Sequence, residues 1–160
     1  MDAAAWARAR ECGEWERATR VGHALVVVAG DVGRSPRMQY HALSLARSVG
    51  CAVTLVGYGG SSCCEAVEAE ARIRLVTVAE YADAPRWLPS LVARAVKLLV
   101  LLYRLGAALV AARRGPNLRA ALVLVQTPPA LPSLFLGWLA ARRDGGRFVA
   151  DWYGPRAETN

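Results

Sequence analysis

Apolar residues along this chain fall into short, nearly continuous runs separated by longer segments with helical periodicity. Residues 24–29, 52–56, 73–78, 121–126 and 147–151 each read as a strand rich in Val, Leu and Ala. Between them the pattern predicts helices over 36–49, 63–70, 91–112 and 133–142. Apolar strands that alternate with helices bury both faces of a parallel sheet. Right-handed crossovers then give a Rossmann-like, doubly wound α/β domain of about five strands. No internal repeat interrupts this order.

The joints between elements carry the candidate chemistry. The first strand leads into Gly30-Asp31-Val32-Gly33-Arg34-Ser35-Pro36-Arg37. Ser35 is placed as N-cap and Pro36 at the first helical position. A helix start offers outward N–H groups and partial positive charge, so a strand–glycine–helix joint favours an anion. Arg34 and Arg37 add two full charges. Gly57, Gln126 and Asp151 also lie at or past strand ends. Ligands of open α/β sheets bind along that edge, where the strand order reverses. The usual order puts the reversal between strands one and four, so residues 30–37 are expected opposite 126–129.

The segment 91–112 has the length of a membrane span, but Arg94, Lys97 and Arg104 fall within an arc of about 80° at 100° per residue. A one-sided basic stripe argues against burial in lipid. Two readings stand: a crossover helix covering the sheet, or a helix in the membrane interface with its basic stripe toward lipid phosphates. Pro85 and Pro89 bound a loop before it, Arg113 and Arg114 follow it, and Pro128, Pro129 and Pro132 mark a turn.

Composition narrows the partners. The 160 residues suit one domain with a real core and carry a formal charge of +7. A basic chain fits nucleic acid, a membrane surface or a phosphorylated ligand. Nucleic acid is set aside, because aromatic and basic residues do not interleave and no binding motif appears. Cys12, Cys51, Cys63 and Cys64 lack metal spacing and only two histidines are present, so no metal site is expected and the thiols read as reduced. Residues 1–22 form a charged lead-in without the apolar centre of a signal peptide.

The segment from Gly30 through Ala46 (Gly-Asp-Val-Gly-Arg-Ser-Pro-Arg-Met-Gln-Tyr-His-Ala-Leu-Ser-Leu-Ala) resembles the chitobiosyldiphosphodolichol β-mannosyltransferase family, as do Gln126-Thr127-Pro128-Pro129 with Leu131-Pro132, and Asp151-Trp152. The family typically has Asn in place of Thr127. The resemblance covers residues 23–152. It implies the N-terminal, acceptor- and membrane-handling half of a two-domain GT-B glycosyltransferase. Members transfer mannose with inversion from GDP-mannose to dolichol-diphosphate-chitobiose at the cytosolic face of the endoplasmic reticulum membrane. The implied partners are therefore the dolichol-linked diphosphate oligosaccharide, the membrane surface and other glycosyltransferases of the same pathway. GDP-mannose belongs to the full-length family, and no cofactor is called for. After Asp151-Trp152 the family continues with His-Asn, whereas here Tyr153-Gly154 opens a divergent tail over 153–160. The resemblance thus implies a truncated form without its donor-binding half, inactive alone. The alternative is a non-catalytic isoform that binds membrane or a partner.

Under that resemblance, Gly30, Gly33, Arg34, Ser35 and Arg37 are the candidate diphosphate-binding residues, and Gln126 and Thr127 those for the acceptor sugar. An inverting transfer needs a base for the acceptor hydroxyl. Asp31 is the candidate base, with a turn cap as its other reading, and His41 is a weaker one. Two other enzyme classes fit poorly. A Ser35–His41–Asp151 hydrolase lacks the Gly-x-Ser-x-Gly elbow. A dinucleotide enzyme lacks the full Gly-x-Gly-x-x-Gly turn and an acid after strand two.

Overall fold

The computed structural model describes residues 13–78, 90–112, 119–127 and 131–152. In chain order the elements are α1 (Glu14–Val21), β1 (His23–Asp31), α2 (Pro36–Ser44) running into a π-helical turn (Leu45–Val49), β2 (Ala52–Tyr58) and α3 (Glu65–Glu68). They continue with β3 (Ile73–Val78), α4 (Ser90–Ala111), β4 (Leu122–Thr127), α5 (Leu131–Asp144) and β5 (Arg147–Trp152). The strands form one parallel sheet in the order β3-β2-β1-β4-β5. The reversal lies between β1 and β4, as the usual doubly wound order predicts.

The differences from the sequence reading have local causes. β1 and β2 run on through Gly30-Asp31 and Gly57-Tyr58, because Asp31 pairs with Tyr58 across a register irregularity that begins after Val27. Turn-forming residue types there remain in the sheet because parallel pairing holds them. The helix expected over 36–49 changes to π geometry for its last five residues and stops at Gly50, whose φ of 77° favours glycine. Pro132 lies inside the first turn of α5 rather than before it, a position where its missing N–H costs nothing. The loop at Pro85 and Pro89, the turn at Pro128 and Pro129, Arg113 and Arg114, residues 1–12 and the 153–160 tail lie outside the described residues.

Two apolar cores flank the sheet. Ala24, Val26, Val28, Val53, Leu55 and Leu124 face α2 and α3. Leu25, Val27, Val56, Val123 and Val125 face α4 and α5. Leu25, Val26 and Val27 lose all solvent contact, each worth about 1.5–3 kcal/mol of burial. At the amino edge, buried His23 bonds Thr54 Oγ1 through Nε2 at 2.8 Å, and Trp15 of α1 meets its ring edge-on. The polar residues left are gathered at the opposite, carboxyl edge.

Candidate functional site

Two polar clusters occupy the carboxyl edge, one on each side of the strand-order reversal. The first is a knot at the ends of β1 and β2. Asp31 Oδ1 accepts from the N–H of Gly33 at 3.0 Å and of Ser61 at 3.2 Å, and Oδ2 accepts from the Ser61 hydroxyl at 2.7 Å. These bonds, the Ser61 hydroxyl foremost, hold the Asp31 carboxyl below the usual carboxylate range despite opposing desolvation. A carboxylate so stabilised is a weak proton acceptor. Of the two roles open to Asp31, the contacts favour the cap: it ties the joint after β1 to the loop after β2.

The same knot satisfies the N–H groups that the sequence offers to a phosphate. Val32 N–H donates to Tyr58, Gly33 to the Asp31 side chain, Arg34 to the Asp31 carbonyl and Ser35 to the Val32 carbonyl. A methyl group at Gly33 would lie 2.5 Å from the Ser61 carbonyl oxygen and 2.6 Å from that of Ser62. Gly33 therefore allows close approach of this chain's own loop. A methyl at Gly30 meets nothing within 4 Å, so that flank is open. Ser35 stands at the N-cap, but its hydroxyl donates back to the Asp31 carbonyl at 3.2 Å and makes no capping bond. That commitment also leaves the Ser35–His41–Asp151 triad unassembled. Arg34 is largely exposed, 3.8 Å from Asp31. Beside it lies a hollow of about 220 Å³ lined by Asp31, Arg34, Tyr58 and Ser61, smaller than an ordinary ligand pocket.

The second cluster centres on Asp151. Register pairs Gln126 with Asp151, which puts both on the face carrying α2. From the first turn of α2, Arg37 reaches across to Asp151 with Nε at 2.8 Å and Nη2 at 2.7 Å, a bidentate fork. One turn on, His41 Nε2 stands 3.6 Å from the same carboxylate. His41 Nε2 and Gln126 Oε1 are both buried without a hydrogen-bond partner. Buried polar atoms are normally satisfied, so two such atoms flanking one ion pair mark a place for a polar ligand or water. Thr127 has a partner within the sheet. Its hydroxyl donates to the Asp151 carbonyl at 2.8 Å on the buried side, and so staples β4 to β5.

Asp151 is thus the hub that residue-by-residue reading underrates. Its partner Arg37 is 114 positions away in the chain. The available signal was parity: a carboxylate ending β5 in register with the amide ending β4. Among the described residues no group of His, Cys, Asp and Glu could hold a metal ion, and Cys51, Cys63 and Cys64 are free thiols.

No family model matches the sequence. Individual proteins do. The chain is 38% identical over 147 residues to chitobiosyldiphosphodolichol beta-mannosyltransferase of Mus musculus and 37% over 142 residues to that of Homo sapiens, aligning over 88% and 87% of its length. The chain belongs to this family. It is also 39% identical over 143 residues, 82% of its length, to the UDP-glycosyltransferase TURAN of Arabidopsis thaliana. It spans about 28% of the length of each of these curated relatives. Among solved structures, the C-terminal domain of a hydrogenase from Pyrococcus furiosus superposes with a TM-score of 0.50 at 13% identity, over 82% of this chain and 92% of that one. That likeness concerns the α/β fold alone. These homologues are named as mannosyltransferases and a glycosyltransferase, and the two clusters at the carboxyl edge are the candidate site in this chain.

Proposed function

We propose that this chain is the acceptor-handling side of a β-mannosyltransferase, holding a dolichol-linked diphosphate sugar for transfer of mannose from GDP-mannose at the cytosolic face of the endoplasmic reticulum membrane. In the transfer the bond from mannose C1 to GDP breaks, the bond from C1 to the acceptor hydroxyl forms, and the hydroxyl proton passes to a base. The observation that carries the reading is the Arg37 fork flanked by two unpartnered buried atoms, His41 Nε2 and Gln126 Oε1, at the strand-order reversal of a chain with this kinship. A diphosphate is a bidentate acceptor that competes with Asp151 for the guanidinium. Gln126 Oε1 takes a sugar hydroxyl. His41, beside a carboxylate and with Nε2 unbonded, is better placed to meet the acceptor hydroxyl than Asp31, whose oxygens are engaged. Arg34, exposed beside the open flank of Gly30, supplies a second, looser charge. Residues 23–152 act as one unit in this reading.

The test is titration of the purified chain with a short-chain, water-soluble chitobiose diphosphate lipid by calorimetry. Arg37→Ala weakens binding about tenfold, the scale of one charge-assisted fork, and Arg34→Ala weakens it less. Binding unchanged in Arg37→Ala removes the site.

A further inference from the structure

The outer surface of the α4–α5 layer does not look like the solvent face of a soluble crossover pair. Val92, Leu99, Tyr103 and Val110 are all exposed, Tyr103 at 78% and Leu99 at 64%. At 100° per residue they fall on one line, within an arc of about 40° along a helix about 33 Å long. The neighbouring helix repeats the pattern: Phe135, Trp138 and Leu139 are exposed on its outer side. Both helices pack through their other sides onto the same core, so their outward faces share one direction. This face carries seven of the twelve large hydrophobic side chains exposed among the described residues. Its outward line is apolar. Arg104 is only half-exposed and lies about 100° round the helix from Tyr103.

Charge selects the occupant. α4 contains no acidic residue, and the only one in α5, Asp144, accepts from the Ala120 N–H at 2.9 Å. Exposed Arg142 and Arg143 border the apolar patch, and the Arg142 guanidinium lies 5.4 Å over the Trp138 ring. The acidic residues Glu65, Glu68 and Glu70 belong to the α3 region on the opposite side of the sheet. A second copy docked through this face would set arginine against arginine. A layer of anionic lipid complements it, with Trp and Tyr at headgroup depth. No helix of the described residues is long and apolar enough to cross a membrane, so the contact is lateral.

We infer that the outer face of α4 and α5 is a membrane-docking surface that lays both helices flat in the interface of an anionic bilayer. It goes beyond the acceptor reading, needs no acceptor lipid, and leaves the carboxyl-edge clusters clear. The experiment is vesicle flotation of the full chain, without acceptor, on phosphatidylcholine alone and on phosphatidylcholine with 30% phosphatidylserine (roughly the anionic regime in which basic clusters bind). The chain floats on the mixed vesicles, and less on the neutral ones. Leu99→Asp and Tyr103→Asp each cut the floated fraction about tenfold or more. Tyr40→Asp, an exposed aromatic on α2, leaves it unchanged. Equal thermal unfolding of all variants shows that folding is not the cause. Wild-type chain that stays unbound, aspartate variants that float as well as wild type, or a dimer that Leu99→Asp disperses without any vesicle binding would each overturn the inference. Acceptor titration in solution is unaffected by these variants, so its failure and the failure of docking are separate results.

Discussion

Removing Arg37 and removing Asp151 should not cost the same, although they are partners in one pair. Asp151 is 9% exposed, while the Arg37 side chain is 52% exposed. Arg37→Ala strands a carboxylate in a protein environment, with His41 Nε2 at 3.6 Å as its remaining basic neighbour. Stranding a fully buried charge costs about 3–5 kcal/mol and losing a surface pair about 0–1, so this half-buried geometry sits near 2 kcal/mol. Asp151→Ala leaves a guanidinium that water can reach, for about 1 kcal/mol. The double variant removes the stranded charge as well, so it should be no worse than Arg37→Ala alone, giving a coupling of about 1 kcal/mol. In a chain of this size 1 kcal/mol moves Tm by about 2–4 °C. Arg37→Ala therefore lowers Tm by about 4–8 °C and Asp151→Ala by about half that. Urea titration of the four proteins measures the cycle. Single-variant losses that simply add would show that the fork does not form in solution, and the account of Arg37 as a latch over the strand-order reversal would fall with it.

The knot around Asp31 makes two further predictions. Gly33→Ala places a methyl group against two backbone carbonyls and should cost about 1–3 kcal/mol, whereas Gly30→Ala, with open space around it, should stay within about 0.5 kcal/mol of wild type. Comparable losses at both would show that the glycines serve the backbone conformation rather than the loop contact. The lowered pKa of Asp31 sets a sign for acid stability: its contribution is fully present above the unfolded-state value of 3.8 and is lost as pH falls through the lower folded value. Asp31→Asn should therefore flatten the fall in stability below about pH 4 relative to wild type. Parallel profiles for the two proteins would show that the bonds from Ser61 and Gly33 do not persist in solution.

The sheet was readable because its strands bury both faces, and an unbroken apolar run such as residues 24–29 has no other home in a small domain. Strand order followed from the usual order of doubly wound sheets with right-handed crossovers. The strand ends were not readable: Gly30, Asp31, Gly57 and Tyr58 are turn residues by composition, and only pairing with a neighbour keeps them in the sheet. The anion joint was readable as a location and misleading as a contact map. A helix start with two glycines looks the same in sequence whether its N–H groups await a phosphate or bind Asp31 and Val32. Asp151 was hidden for a different reason, since nothing local in residues 147–152 announces an arginine on a distant helix. The outward side of α4 was not readable, because Val92, Leu99, Tyr103 and Val110 form an apolar line no different in kind from the one that covers the sheet.

The two carboxylates at the edge differ in what kind of donor holds them, and that difference decides which can take part in exchange. Asp31 is held by two backbone N–H groups and a short serine side chain, donors that cannot leave without moving the loops that carry them. Asp151 is held by one guanidinium on a long, half-exposed stem, a donor that reorients with its own side chain rather than with a loop. An incoming anion at Arg37 would replace one acceptor of the guanidinium by another, and Asp151 would keep His41 Nε2 at 3.6 Å. Exchange of one acceptor for another is therefore confined to the Arg37 side of the edge, the cluster whose hydrogen bonds are incomplete.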